Sequence, residues 1–112
     1  MAVYANISID QGSDFISTVT VEGSDGIIYN LTGHTARGQI RKSYTSSSYV
    51  PFTIELDNPT AGRMRILLSA VQTSAMKPGR YLYDIEITEP INGKITRVVE
   101  GQVEVNPRVT RP

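Results

Sequence analysis

The stretch KPGRYLYDIEIT, residues 77–88, alternates apolar and polar side chains once its first turn is complete. One face of this alternation carries Tyr81, Tyr83, Ile85 and Ile87. A period of two residues is typical of a β-strand with one buried face. The dipeptide Pro78-Gly79 directly before it is typical of a turn. We therefore predict a strand over residues 80–88, with its tyrosine and isoleucine face against a core and its charged face outward.

The same alternation recurs on both sides of this strand. It predicts further strands over residues 3–9, 15–22, 27–29, 35–43, 52–56, 63–68 and 94–105. The chain holds 10 Val, 12 Ile and 11 Thr against 5 Leu and 6 Ala, and branching at Cβ favours strands over helices. Turn sequences such as Gly23-Ser24-Asp25-Gly26 and Ile91-Asn92-Gly93 separate these segments. The pattern predicts an all-β sandwich of seven to eight antiparallel strands.

One short helix is predicted near residues 70–76. Ser69 is a favourable N-cap residue, and Lys77-Pro78-Gly79 would end the helix. The helix would join two strands across one end of the sandwich. An irregular loop is the alternative for this segment.

The 112 residues have the length of one domain, and we predict a core over about 14–105. Residues 1–12 are expected to form an N-terminal strand or arm that could add to the sheet edge of a neighbour. Residues 106–112, NPRVTRP, show no alternation and predict a C-terminal arm.

The net charge of 0 conceals an asymmetry along the chain. Residues 1–36 carry four acidic and no basic side chains, whereas residues 37–112 carry all 11 basic and seven acidic ones. If the two parts form separate surfaces, copies of the protein could associate through them. The alternative is that the two parts interleave in one sandwich and the charges mix.

Composition argues against several classes of function. The absence of Cys excludes disulfides and thiolate chemistry, and one His cannot form a two-His metal site. Zero net charge argues against nucleic-acid binding, and no apolar run is long enough for a membrane span. The N-terminus has no signal-peptide pattern. We expect no enzymatic activity, catalytic residue, cofactor, metal or small-molecule substrate, and we interpret His34 as a turn residue.

Candidate partner-binding residues lie on one predicted strand and in the segments after it. Arg37, Gln39 and Arg41 share the outward face of the strand over residues 35–43, where they could bind acidic groups. Two tyrosines flank a serine-rich loop at residues 44–50 and are candidate contact anchors. Two arginines of the C-terminal arm are further candidate partner-binding residues. These four residues are Tyr44, Tyr49, Arg108 and Arg111. The alternatives are a solvated polar face and a tyrosine packed on the rim of the core.

The turn before the strand over residues 80–88 resembles the tyrosine corner of immunoglobulin-like sandwiches. In that motif a Tyr hydroxyl bonds to nearby backbone and fixes the loop. The residues that carry the resemblance are Pro78, Gly79, Tyr81 and Tyr83. It implies an immunoglobulin-like β-sandwich and a structural role for these residues.

A wider resemblance extends over nearly the whole chain. It rests on five segments in order: DQGSDF (10–15), NLTGHTARGQIR (30–41), LSAVQTSAMKPGRYLYDIEI (68–87), TRVVEGQVEV (96–105) and PRVTR (107–111). This series resembles small tailed-phage virion proteins with an immunoglobulin-like sandwich, and it is similar to the N-terminal domain of phage upper-baseplate proteins.

The resemblance implies a docking module that joins tail, baseplate or neck components of a virion by protein–protein contact. The implied partners are other virion proteins and copies of the same chain, after folding in the host cytoplasm. Two alternatives stay open. One is a capsid decoration protein, and the other is a module that binds carbohydrate or a receptor on the host surface, with Tyr29, Tyr44 and Tyr49 as candidate aromatic residues.

Overall fold

The structure, a computed structural model, describes residues 3–23 and 26–110. That part of the chain forms nine strands, one 3₁₀ turn (Pro59–Ala61) and one helix, α1 (Ala70–Ser74). The strands are β1 (Val3–Tyr4), β2 (Ile7–Asp10), β3 (Phe15–Thr20), β4 (Thr35–Arg41), β5 (Val50–Pro51), β6 (Thr53–Asn58), β7 (Arg63–Leu68), β8 (Gly79–Thr88) and β9 (Ile95–Asn106). The turn predicted at residues 23–26 includes Ser24 and Asp25, which lie outside the described residues.

The strands form two sheets that pack face to face. The larger sheet has the order β1-β9-β8-β4-β5, with β2 also paired to β9, and the smaller sheet has the order β3-β7-β6. Helix α1 carries the chain from β7 in the smaller sheet to β8 in the larger one. The predicted all-β sandwich and its short helix are confirmed.

The N-terminal strands correct one expectation. β1 and β2 run parallel to β9, from Val3 opposite Val99 to Asp10 opposite Asn106, whereas only antiparallel strands were predicted. Parallel pairing is possible because most of the domain connects the two segments, so no tight turn is required. β2 is paired within the larger sheet of its own chain, and its Ile9 is fully buried.

Side-chain hydrogen bonds add to the backbone pairing with β9 and hold the segment between β1 and β2 against the sheet. The Tyr83 hydroxyl donates to the Ala5 carbonyl oxygen over 2.5 Å, and the Asn6 Oδ1 accepts from the Gln102 backbone N–H over 3.1 Å. Gly101 faces the same carbonyl so closely that any Cβ at this position would collide with it. A residue without a side chain is therefore required here.

The predicted alternation holds along most strands, and the inward residues form one core between the sheets. β9 departs from it, because Val98 and Val99 are adjacent and both buried. The pairing shifts at this point, with Ile85 opposite Val99 and Glu86 opposite Arg97. Val98 is therefore the extra residue of a β-bulge, which sends two consecutive side chains inward.

The predicted strand over residues 27–29 is not formed. Only an isolated bridge joins Glu22 to Ile28, and both Ile27 and Ile28 are more than half exposed. Backbone bonds from Gly23 N to Ile27 O and from Tyr29 N to Val21 O hold this segment as a short loop. No buried face supports a longer ladder, because neither isoleucine reaches the core.

The two charge segments of the chain interleave. β2 from the acidic part pairs with β9, and β3 pairs with β7, which carries Arg63 and Arg65. The mixing alternative is therefore the one that the fold supports, and no separate acidic and basic halves are formed by the described residues.

Candidate functional site

The outer face of the larger sheet carries a groove of about 500 Å³, here called the polar groove. It crosses β9, β8 and β4, whose outward side chains form its floor in three rows. The rows are Arg37-Glu86-Arg97, Gln39-Asp84-Glu100 and Arg41-Leu82-Gln102. The outward residues predicted on β4 are thus brought together with residues from two other strands.

Ion pairs connect the charged side chains of this floor. Arg37 Nε lies 2.7 Å from Glu86 Oε1, and this hydrogen bond and the carboxylate charge raise the pKa of the Arg37 guanidinium. Arg97 contacts Asp84 at 3.3 Å and Glu100 at 3.6 Å. Three guanidinium groups, counting that of Arg41, therefore face three carboxylates, and the floor has no net charge.

Arg41 is held at one end of the groove by three neighbours. Its Nη2 donates to Gln39 Oε1 over 2.9 Å, and its Nη1 donates to the Ser46 carbonyl oxygen over 2.5 Å. Its guanidinium also lies over the Tyr49 ring, 4.9 Å from the ring centroid. Of the two loop tyrosines, Tyr49 is thus engaged with Arg41, whereas Tyr44 lines the groove.

Two exposed tyrosines border the polar groove. Tyr4 on β1 is 63% exposed, and Tyr44 in the loop after β4 is 83% exposed. β1 lies beside β9, and β4 lies on the far side of β8, so the two rings stand toward opposite edges of the sheet. The contribution of Tyr4 was not predicted, because the sequence placed residues 3–9 only by their apolar alternation.

The remaining predicted partner residues lie in the C-terminal segment, away from the groove. The Arg108 backbone N–H donates to Gln11 Oε1 over 3.3 Å, and its guanidinium lies where a Cβ of Gly12 would be. A Cβ at position 12 would displace this guanidinium, and the positive φ of 86° at Gly12 is the feature that favours glycine there. Arg108 is therefore docked on its own domain, and Arg111 lies outside the described residues.

The residues predicted for a tyrosine corner take two separate roles. Tyr81 donates its hydroxyl to the Lys77 carbonyl oxygen, four residues upstream, over 2.6 Å. Pro78 precedes the start of β8, and Gly79 is its first residue. Tyr83 instead bonds to Ala5, as described above, and holds the N-terminal edge of the sheet.

A second surface was missed by the sequence prediction and is here called the apolar end: Ile27, Ile28, Ile91 and Ile95. Each of these side chains is more than half exposed, and Ile91 is 96% exposed. A hydrogen bond from Tyr29 Oη to Glu89 Oε1 at 3.1 Å joins the two loops at this end. Pro90 lies beside Gly33, since its ring would be 3.3 Å from a Cβ at position 33.

A signal for this surface existed in the sequence. Ile91 lies between Pro90 and Asn92 at the tip of a hairpin, where a side chain points to solvent whatever its polarity. An isoleucine there does not serve the core. Burial and the hydrogen bond to Glu89 raise the pKa of the neighbouring Tyr29 phenol, so this bond persists across the ordinary pH range.

His34 lies in a turn, with its backbone N–H bonded to Leu31 O and its Nδ1 3.3 Å from Thr32 O. The rings of His34 and Tyr29 pack edge to face, with their centroids 5.5 Å apart. Across residues 3–23 and 26–110, no group of three or more His, Cys, Asp and Glu side chains is arranged to hold a metal ion. Within the same described ranges, no helix has the length and apolar character to cross a membrane.

No protein-family model and no curated protein matches this chain. Among solved structures it is similar to InlP of Listeria monocytogenes, at 14% identity and a TM-score of 0.49, over 94% of this chain and 28% of that one. It is also similar to a family 123 glycoside hydrolase from Clostridium perfringens, at 15% identity and a TM-score of 0.44, over 96% of this chain and 23% of that one. The chain thus spans less than a third of either protein.

Proposed function

We propose that this protein is a non-enzymatic structural component of a tailed-phage virion, which joins tail, baseplate or neck parts by protein–protein contact. The resemblance of its sequence to small virion proteins supports the virion context. The observation that carries the contact is the apolar end. Other virion proteins, and copies of this chain, are the proposed partners.

The apolar end suits a protein partner for a physical reason. Each exposed isoleucine gains free energy when a partner surface removes it from water, up to about 1.5–3 kcal/mol for a side chain that is fully covered. Ile27, Ile28 and Ile91 lie on loops, and Ile95 begins β9. Binding residues are commonly placed on such loops at the end of a rigid sandwich, because the loops can change without disturbing the core. The end can therefore act as a docking surface.

We further propose that the sandwich is immunoglobulin-like. In that fold the sheets contain strands B-E-D and G-F-C, with an added C′ strand in variable-type domains. The orders β3-β7-β6 and β9-β8-β4-β5 correspond to these arrangements. The bond from Tyr81 to Lys77, at the start of the strand equivalent to F, is also the geometry of a tyrosine corner.

The proposal is tested by replacing the protein in assembling particles with Ile91→Asp. A charge at this position opposes burial at an interface, so we expect incorporation to fall at least about tenfold, which corresponds to about 1.4 kcal/mol of lost contact. Quantitative mass spectrometry of purified particles measures it. Val71→Asp is the matched control, since Val71 is 80% exposed on α1, away from the apolar end.

Two results would contradict the proposal. One is absence of the unaltered protein from purified particles. The other is equal incorporation of Ile91→Asp and Val71→Asp. Copy number per particle distinguishes the alternatives within the virion, because a decoration protein is present in hundreds of copies and a baseplate or neck component in tens or fewer.

A further inference from the structure

We propose that the polar groove binds a neutral oligosaccharide. This binding goes beyond the docking function and uses a different surface from the apolar end. The volume of about 500 Å³ lies within the range of small-ligand sites, and the floor is a rigid sheet instead of a loop.

The charge balance of the floor selects against a charged ligand. Arg37 is paired with Glu86, and Arg97 is shared between Asp84 and Glu100. A phosphate or carboxylate would compete with these carboxylates for Arg37 and Arg97, and at Arg41 it would compete with the hydrogen bonds to Gln39 and Ser46. An ammonium group would compete with the arginines for the three carboxylates. A neutral ligand avoids this cost.

The floor also has hydrogen-bonding capacity that the protein leaves unused. The ion pairs with Arg97 are made by Asp84 Oδ2 and Glu100 Oε1, and Asp84 Oδ1 and Glu100 Oε2 lie outside them. Gln39 accepts from Arg41 through Oε1, which leaves its amide N–H groups, and the Gln102 side-chain amide forms no hydrogen bond with any described residue. The floor thus offers both donors and acceptors, and a sugar hydroxyl can both donate and accept.

Apolar surfaces at the floor and borders complement the other face of a sugar ring. The exposed rings of Tyr4 and Tyr44 border the groove, and the half-buried Leu82 lies on its floor. Tyrosine has an apolar ring and a polar hydroxyl, so it suits ligands that have both apolar and polar surfaces. Three strand spacings separate β1 from β4, about 14 Å, a width that suits a short oligosaccharide.

The test is titration of the full chain, labelled with ¹⁵N, with maltotriose, cellotriose, tri-N-acetylchitotriose and the acidic trigalacturonate. We expect at least one neutral trisaccharide to shift backbone amide signals of residues 37–41, 82–84 and 100–102, and we expect trigalacturonate to bind more weakly. Affinity for the neutral sugar should not change with salt concentration, since no ion pair forms on binding.

Variants locate the site. Tyr44→Ala should weaken binding about 2- to 10-fold, the range for loss of one aromatic contact. Asp84→Asn should weaken it as well, whereas the matched control Asp57→Asn should not. Asp57 is also a carboxylate paired with an arginine on an outer sheet face, but on the smaller sheet.

Failure of all three neutral trisaccharides to shift any groove signal would overturn the proposal. So would binding that Tyr44→Ala and Asp84→Asn leave unchanged, or groove shifts caused by a polar peptide of similar length and by none of the sugars. These outcomes are separate from particle incorporation, because Tyr44→Ala and Asp84→Asn leave the apolar end intact. Either proposal can therefore fail while the other stands.

Discussion

The phenol of Tyr83 connects two parts of the chain that are distant in sequence. It is almost fully buried, and its hydroxyl donates to Ala5 O, 78 residues away. Burial raises the pKa of Tyr83 to about 12, and the charge of the nearby Tyr4 phenolate raises it as well. The alternation along β8 predicted the inward direction of this side chain. Its partner was beyond prediction, because the contact depends on which strand lies beside β9.

Replacing Tyr83 with Phe should lower the free energy of unfolding by about 1 kcal/mol, the usual net contribution of one hydrogen bond. It should also change the pH dependence. The folded pKa lies above the unfolded value of about 10, so the neutral phenol stabilises the fold below pH 10 and this stabilisation is lost as pH rises toward about 12. Urea unfolding across this range measures it.

In that experiment Tyr44→Phe is the control, because the Tyr44 side chain is exposed and removing its hydroxyl leaves the core unchanged. The unaltered protein and Tyr44→Phe should lose stability in parallel above pH 10, and Tyr83→Phe should lose less. Identical slopes for all three proteins would show that the Tyr83 phenol does not carry this part of the pH dependence.

The helix shows what can be predicted for a single element. Five residues are too few for a stable isolated helix, so α1 depends on its ends. Ser69 Oγ accepts from Gln72 N, and Gln72 Oε1 accepts from Ser69 N, which completes a capping box. Asp14 Oδ1 adds a bond from Ala70 N across 56 residues. The local cap was predicted, whereas the Asp14 bond requires the folded turn after β2.

Ser69→Ala should therefore lower the free energy of unfolding by about 1 kcal/mol, since it leaves the Gln72 N–H without its cap. Ser74→Ala, at the exposed last position of α1, should stay within about 0.5 kcal/mol of the unaltered protein. Thermal or urea unfolding compares the two variants. If Ser74→Ala were the more destabilising, the capping box would not be what maintains this helix.

At the scale of the whole molecule, the strand order decides which predictions could succeed. The outward direction of Arg37, Gln39 and Arg41 follows from alternation within β4, so it was predictable. The polar groove could not be predicted, because each row of its floor also includes one residue from β8 and one from β9. Alternation within a strand does not specify which strands are its neighbours. The apolar end was not predicted for a related reason, since loops 26–34 and 89–94 meet only when both sheets have packed.

Strand order also determines whether the N-terminal segment is an arm or a part of the core. β1 and β2 both pair with β9, so the N-terminal segment forms one edge of the larger sheet. Ile9 has no exposed surface, whereas Val3 is 56% exposed. Ile9→Ala should therefore cost about 2–5 kcal/mol of unfolding free energy, as for other large-to-small changes in a core. Val3→Ala, on the same edge, should change it by no more than about 0.5 kcal/mol. Urea unfolding separates the two cases, because a segment that only rests on the surface as an arm would give small effects at both positions.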